Sequence, residues 1–380
     1  MKLLLCNWRD RSHPASGGAE VYSHELLRRW ASAGHEVTQF ASAVADEPDR
    51  AVVDDVEIIR GGTGRLGVYH AAKSWYEAEG RDRFDLIIDE VNTRPFFCHE
   101  WAGDTPTVAL IHQVAREVWF SEFWWPLASV GRWWLEPRWL SRYQYVPTVT
   151  ISESSAQSLR SYGLQRVVVA PVGVDPCPDI DLTAKEERPT IAFVGRLAAN
   201  KQPDHVLQAF ARVLEHAPDS QLWMVGSGTM TDDLRRAAPP NVEFFGRVSH
   251  ERKYELMSRA HVLVVTSVRE GWGLVVDEAA SVGTPTIGYD VDGLRDSVLA
   301  AGGTLVHPHP ETLATAVSRH FSELGCARST PGPSARGAIE WDDAADEILS
   351  LVTDMVGLSE AASDQPIKRG RHGLALVADR

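Results

Sequence analysis

Short apolar strands alternate with helix-length amphipathic segments along this chain, the alternation halts in a stretch rich in proline and charge, and then it begins again. The first run reads as strand 2–7, helix 19–33, and strands 36–40, 56–60, 86–89, 107–111, 148–151 and 167–170, with helical segments between most of them. Tyr22, Leu26 and Trp30 recur at helical spacing, which turns them toward a sheet. Strands separated by helices pair in parallel, and the helices then cover both faces of the sheet. After residues 171–189 the pattern restarts as strand 190–194, helix 203–216, strands 221–225 and 242–245, helix 251–258 and strand 261–265. Strands 285–288 and 304–306 and helix 310–320 complete it. A length of 380 residues also exceeds what one hydrophobic core usually supports. The expectation is an α/β protein of two Rossmann-like, doubly wound domains facing across a cleft. The two halves share architecture and no visible sequence repeat.

This pattern divides the chain into a first domain, 1–172, a linker, 173–189, and a second domain, 190–338. A terminal helix, 339–358, and a tail, 359–380, follow. Residues 325–337 are rich in serine, proline and glycine and predict a loose connection. The tail mixes charge with glycine and lacks helical period, so it is expected to be disordered.

A formal charge of −14 argues against general nucleic-acid binding, which depends on basic surface, while leaving room for a local basic pocket that holds one diphosphate. Cys6, Cys98, Cys177 and Cys326 are far apart and form no CxxC pair, which fits a reducing cytoplasm. The apolar run 1–6 is too brief for a signal peptide, and Leu3 to Cys6 reads better as part of a first strand. No window approaches the roughly 18 apolar residues needed to span a bilayer.

Chemistry concentrates at the carboxyl ends of strands, the edge at which open α/β sheets bind ligands. In Arg269-Glu270-Gly271-Trp272-Gly273-Leu274-Val275-Val276-Asp277-Glu278, one carboxylate precedes a glycine-hinged turn and a second follows eight residues later on a helix. Asp277 alone can be read as complementing a helix amino terminus. Glu270 lies outside the helix beside two glycines, which implies close approach of something else. The loop Val194-Gly195-Arg196-Leu197-Ala198-Ala199-Asn200-Lys201 offers two cations after a strand. In the first half, Ser16-Gly17-Gly18-Ala19-Glu20 closes a loop where a helix starts, a place suited to an anion. Val225-Gly226-Ser227-Gly228 is a further glycine turn, and His112 follows strand 107–111. Ser152 sits at the end of strand 148–151, where it is equally a helix cap. No GxGxxG follows the first strand, which speaks against a dinucleotide-dependent oxidoreductase.

The 269–278 segment strongly resembles the paired-glutamate motif of the retaining glycosyltransferases of the GT-B fold, in the large glycosyltransferase family 4. The likeness extends to the Gly17-Gly18 loop, His112 and the Arg196/Lys201 loop, and covers the chain to about Val356. Val275 stands where the family usually has proline, and Val172 where many relatives carry asparagine. The resemblance implies that Glu270, His112, Arg196 and Lys201 are the catalytic set. It implies that Gly17, Gly18, Gly195, Gly226, Gly271, Trp272, Gly273, Leu274 and Glu278 bind the donor, with Glu278 accepting hydrogen bonds from ribose hydroxyls. It also implies that the terminal helix crosses back to brace the first domain. The implied reaction moves a hexose from a nucleotide diphosphate sugar to a hydroxyl acceptor that is a glycan, lipid-linked or a small molecule. The donor is a substrate, and no cofactor is expected.

The histidines form no spaced metal cluster, and Asp179 and Asp181, which make a DxD pattern, lie in the linker, so a metal-independent reaction is expected. Residues 119–143 hold six of the thirteen tryptophans together with Arg132, Arg138 and Arg142. These rings are an acceptor platform, core, or a face for peripheral contact with a membrane; the last would place the protein at the inner membrane surface. Two other readings keep the same cleft: a nucleotide-sugar epimerase of the GT-B fold, and a sugar-nucleotide sensor without turnover.

Overall fold

The structure is a computed structural model that describes residues 1–178, 185–324 and 339–358. The Asp179/Asp181 pair, Cys326, the 325–337 connection and the 359–380 tail lie outside the described residues. Eight strands form the first sheet: β1 (Lys2–Cys6), β2 (Glu36–Ala41), β3 (Arg50–Val53), β4 (Val56–Arg60), β5 (Leu86–Glu90), β6 (Thr107–Leu110), β7 (Thr148–Thr150) and β8 (Val167–Val169). Their order is β3-β4-β2-β1-β5-β6-β7-β8, and every pairing is parallel except β3 with β4. The β3–β4 hairpin is not legible from the alternation of strand and helix. Its signal is Asp54-Asp55, both with positive φ (50° and 63°), which suits the two-residue turn that matches strand twist.

β1 shows why the strands read as continuous apolar runs. Leu3 and Leu5 join the core on one face, under the helix Gly18–Ser32, while Leu4 and Cys6 join Val68, Ala72 and Tyr76 on the other. Both faces are covered, so neither set of alternating positions can be polar.

After β9 (Gly173–Val174) comes the second sheet: β10 (Thr190–Val194), β11 (Gln221–Val225), β12 (Val242–Gly246), β13 (Val262–Val265), β14 (Thr286–Tyr289) and β15 (Thr304–Val306). The order is β12-β11-β10-β13-β14-β15, all parallel. This is the 3-2-1-4-5-6 order of a doubly wound nucleotide fold. The helix Pro203–Leu214 illustrates how its faces are covered. Proline opens it, Asp204 complements its first turn, and Val206, Phe210 and Val213 form a buried stripe. The short helices Thr231–Ala237 and Leu294–Ala300 are not legible in the sequence, because seven residues are too few to display a period.

β16 (Ile339–Glu340) pairs in parallel with β9, and the helix Trp341–Val356 then lies on the first sheet's core. Trp30 Nε1 donates to Ala345 O (2.9 Å), and the Trp341 and Tyr22 rings meet edge to face at 5.5 Å. A Cβ on Gly173 would lie 2.4 Å from the Trp341 ring, so this crossing requires glycine there. Val172 is buried in the same core, so an apolar residue suits that position.

Candidate functional site

In each sheet the strand order reverses once, between β1 and β5 in the first and between β10 and β13 in the second. Loops diverge at such a point and leave a crevice beyond the carboxyl ends of the strands. The loops after β10 and β13 are stitched together: Val268 N donates to Asn200 O (2.9 Å), and Thr266 Oγ1 donates to the Lys201 and Gln202 carbonyls (2.8 and 3.0 Å). Lys201 Nζ thereby ion-pairs with Glu270 Oε1, and Ser267 Oγ donates to the same oxygen at 2.5 Å. The pair is largely shielded from solvent, with 23% and 15% of the two side chains exposed.

The other loop cation, Arg196, is exposed and reaches toward the first domain. A Cβ on Gly17 would lie 3.8 Å from Arg196 Nε. The Gly17 N–H already donates to Glu20 Oε2 (2.6 Å), and Glu20 Oε1 accepts from Arg9 Nε (2.7 Å), so this amide has its acceptor. Gly18, the first residue of its helix, faces open space. Gly195 and Gly226 are pressed together, since a Cβ on Gly226 would meet Gly195 O at 1.9 Å. Gly226 therefore underlies the Arg196 loop and holds it in place.

The paired-glutamate turn bridges the two sheets. A Cβ on Gly271 would lie 3.1 Å from His112 Cβ, His112 O and Ile151 Cδ1. Trp272 and Leu274 pack on the first sheet's core, and Gly273 caps the helix Leu274–Ser281 in a left-handed conformation. His112 is buried, with Nε2 3.2 Å from Glu90 Oε1 and the ring edge to face with Tyr22 at 5.0 Å. Glu90 also accepts from Ser23 Oγ (2.6 Å). It ends β5 beside the strand-order reversal, and that position is the signal that would have found it.

Glu278 is held by Lys253 at 2.7 Å, a residue of the helix His250–Arg259 that no motif pointed to. Asp277 does more than complement a helix dipole. It is buried, accepts from Trp272 Nε1 at 2.5 Å, and burial pushes its carboxyl up to about 6. Ser152 is a helix cap, accepting from Ser155 N at 3.3 Å.

A second seam of contacts joins the sheets behind the turn. Buried Arg269 places Nη1 and Nη2 each 2.7 Å from Asp292 Oδ2 and lies 3.3 Å from Glu117. Ser158 Oγ donates to Asp292 (2.8 Å), Ser154 Oγ bonds Asp296, and Gly293 N donates to Ser154 Oγ (2.6 Å). Gly293 lies directly against the Glu270 carbonyl, where a Cβ would fall at 2.0 Å.

The aromatic segment is divided. Trp119 is buried and donates to buried Glu136 at 3.2 Å, whereas Trp124, Trp125, Trp133 and Trp134 are exposed. Periodicity does not sort these rings, because the helix Val118–Glu122 ends at extended Phe123-Trp124, and 125–140 then runs from α-helix through a π-turn at Gly131–Leu135 and back to α-helix. Among the described residues no three His, Cys, Asp or Glu side chains group as a metal site, and no helix is long and apolar enough to cross a membrane.

Two parallel, doubly wound folds that meet where the Gly271 turn seats on His112 define a two-lobed class with a cation–carboxylate pair on its second lobe, and comparison with known proteins identifies the family. Residues 16–177 match the model of Glycosyltransferase Family 4, and residues 179–323 match that of Glycosyl transferases group 1. The chain belongs to this family of GT-B glycosyltransferases. It is 27% identical to a D-inositol 3-phosphate glycosyltransferase of Geodermatophilus obscurus over 93% of this chain and 88% of that protein. It is 28% identical to an uncharacterized glycosyltransferase of Methanocaldococcus jannaschii over 57% of this chain, a match spanning only 63% of that relative's length. A match to an exopolysaccharide phosphotransferase of Streptomyces coelicolor spans only 23% of its length. In fold it is similar to sucrose-phosphate synthase of Thermosynechococcus elongatus (TM-score 0.70, 19% identity, covering 95% of this chain and 98% of that one). It is also similar to an Anabaena protein solved with UDP-glucose (TM-score 0.64, 14% identity, covering 96% and 100%).

Proposed function

We propose that the protein is a retaining hexosyltransferase that moves a hexose from a nucleotide diphosphate sugar to an acceptor hydroxyl without a metal ion. Residues 1–172 form the acceptor-side lobe and 190–338 the donor-side lobe. The observation that carries this reading is the Lys201–Glu270 pair at the second sheet's strand-order reversal, with Gly271 seated on His112 of the first lobe.

A departing nucleoside diphosphate needs charge stabilisation more than protonation, and fixed cations in a water-poor site supply it. Lys201 and Arg196 take that role. When the donor enters, its diphosphate takes over Lys201, and Glu270, still held by Ser267, turns its free acceptor capacity to the hexose hydroxyls. Glu278 is free to meet the ribose if Lys253 neutralises it from behind. The anomeric carbon–oxygen bond to the diphosphate breaks as the acceptor oxygen bonds to the same face. The acceptor proton passes to a departing phosphate oxygen, so atoms and charge balance. Closure of the lobes excludes water and limits hydrolysis.

The test begins with thermal-shift screening of UDP-, GDP-, dTDP- and ADP-hexoses. Turnover with the stabilising donor, in chelator, is followed by NMR of the product's anomeric configuration. Retained configuration is expected. An inverted product, a requirement for added metal, or an epimerised sugar from donor alone would overturn the proposal.

A further inference from the structure

Among the described residues the largest exposed aromatic surface lies on the segment that runs from the cleft edge into the first lobe. Trp124, Trp125, Leu127, Val130, Trp133 and Trp134 are 79%, 69%, 53%, 49%, 68% and 61% exposed. Soluble proteins seldom leave so many large apolar side chains together in water.

The patch is preformed. Glu136 is buried beneath it and accepts from Ala115 N (2.6 Å), Arg116 N (3.0 Å) and Trp119 Nε1 (3.2 Å), which fixes both ends of the segment. A Cβ on Gly131 would lie 2.2 Å from the Trp119 ring, so the turn between the exposed rings is locked onto its buried base.

Its chemistry selects an occupant. The thirteen residues 123–135 contain no carboxylate, in a chain with 52 acidic residues and a formal charge of −14. The guanidinium of Arg132 lies 4.5 Å from the Trp133 ring and that of Arg138 lies 5.6 Å from Trp134, so cations stand beside the indoles. Indoles with apolar bodies and polar N–H edges, flanked by arginines and cleared of acids, match the boundary between acyl chains and anionic headgroups. Placement agrees: the helix Val118–Glu122 at the head of this segment lies against the Ala199–Lys201 turn, so a bilayer under the patch would lie close to the mouth of the cleft.

We propose that this face docks the protein on a phospholipid bilayer containing anionic headgroups. Docking needs neither donor nor turnover, so its failure would leave the transfer reading intact.

The full chain is floated with vesicles of phosphatidylcholine alone and of equimolar phosphatidylcholine and phosphatidylglycerol. Binding to the mixed vesicles is expected, weaker on phosphatidylcholine and weakened by salt. The combined Trp124→Ser, Trp125→Ser, Trp133→Ser and Trp134→Ser variant should lose about tenfold or more in affinity, with an unchanged circular dichroism spectrum. In the unmodified protein, lipids brominated near the headgroup end of the acyl chain should quench indole emission, and this readout depends on no variant. No flotation with either vesicle and no quenching would overturn the proposal, as would a concentration-dependent dimer that the four-tryptophan variant abolishes, which would assign the face to a second copy of the chain.

Discussion

Gly293 lies outside every motif, yet it bears directly on Glu270, and Gly293→Ala should show what holds the turn in place. Gly293 has φ 77° and ψ −53°, and its Cβ would fall 2.0 Å from Glu270 O, 2.6 Å from Glu270 C and 2.7 Å from Gly271 O. Gly302, just beyond the other end of the same helix, Leu294–Ala300, also has positive φ (67°) but nothing within 4 Å of its Cβ position. The pair compares positive φ alone, at Gly302, with positive φ joined to a steric clash, at Gly293. Positive φ costs an L-residue about 1–2 kcal/mol. Forcing a methyl into packed backbone adds about 1–3 kcal/mol. At about 3 °C per kcal/mol for a unit of this size, calorimetry should show Gly302→Ala lower the transition by roughly 5 °C and Gly293→Ala by roughly 10 °C or more. Only Gly293→Ala should also damage turnover. Relief of a 2.0 Å approach requires the Glu270 backbone to move by about 1 Å, and a misplacement of that size can cost roughly a hundredfold in rate. Equal destabilisation by both variants, with turnover intact in both, would refute the claim that Gly293 sets the position of Glu270.

Lys201→Met and Arg196→Ala should each lower kcat/KM by about a hundredfold to a thousandfold by removing a cation from the leaving group; near-normal turnover in both, measured by nucleotide release, would reject their assignment. Arg269→Met leaves Asp292 with Ser158 and Arg295 but without its buried cation, and should cost about 2–3 kcal/mol in urea unfolding, less than a fully buried pair because Asp292 is partly exposed and keeps Arg295 at 3.3 Å. Asp277 is an acid whose folded value, about 6, stands above its ordinary 3.8. The folded protein therefore holds the proton more tightly, and this residue's contribution to stability falls as pH rises from about 4 to about 6, by up to about 3 kcal/mol. Asp277→Asn keeps an acceptor for Trp272 and should flatten that part of the stability–pH curve; an unaltered slope in urea titrations would show that Asp277 is not the group responsible.

Much of the architecture is legible in the chain's local pattern. Apolar runs such as Leu3-Leu4-Leu5-Cys6 and Thr190-Ile191-Ala192-Phe193-Val194, each followed by a loop and an amphipathic helix, imply parallel strands covered on both faces, and the structure has two such sheets. The strand-end rule drew attention to Arg196, Lys201 and Glu270 because it is local: a loop after a strand in such a sheet must emerge at the ligand edge. Which residues meet there is another matter. Lys201 and Glu270 are 69 positions apart, and they touch because β10 and β13 lie side by side in the strand order, a fact no periodicity encodes. Lys253 beneath Glu278, Glu90 behind His112 and Gly293 against Glu270 are likewise long-range choices made by packing. Exposure of Trp124 and Trp133 beside the burial of Trp119 is undecidable from spacing, because the chain leaves the helix at Phe123-Trp124 and then passes through the π-turn, and each break interrupts the period that would have sorted the rings. Local pattern determines which segments become strands and where their loops emerge, whereas contacts between residues distant in the chain depend on sheet order and on how two lobes meet.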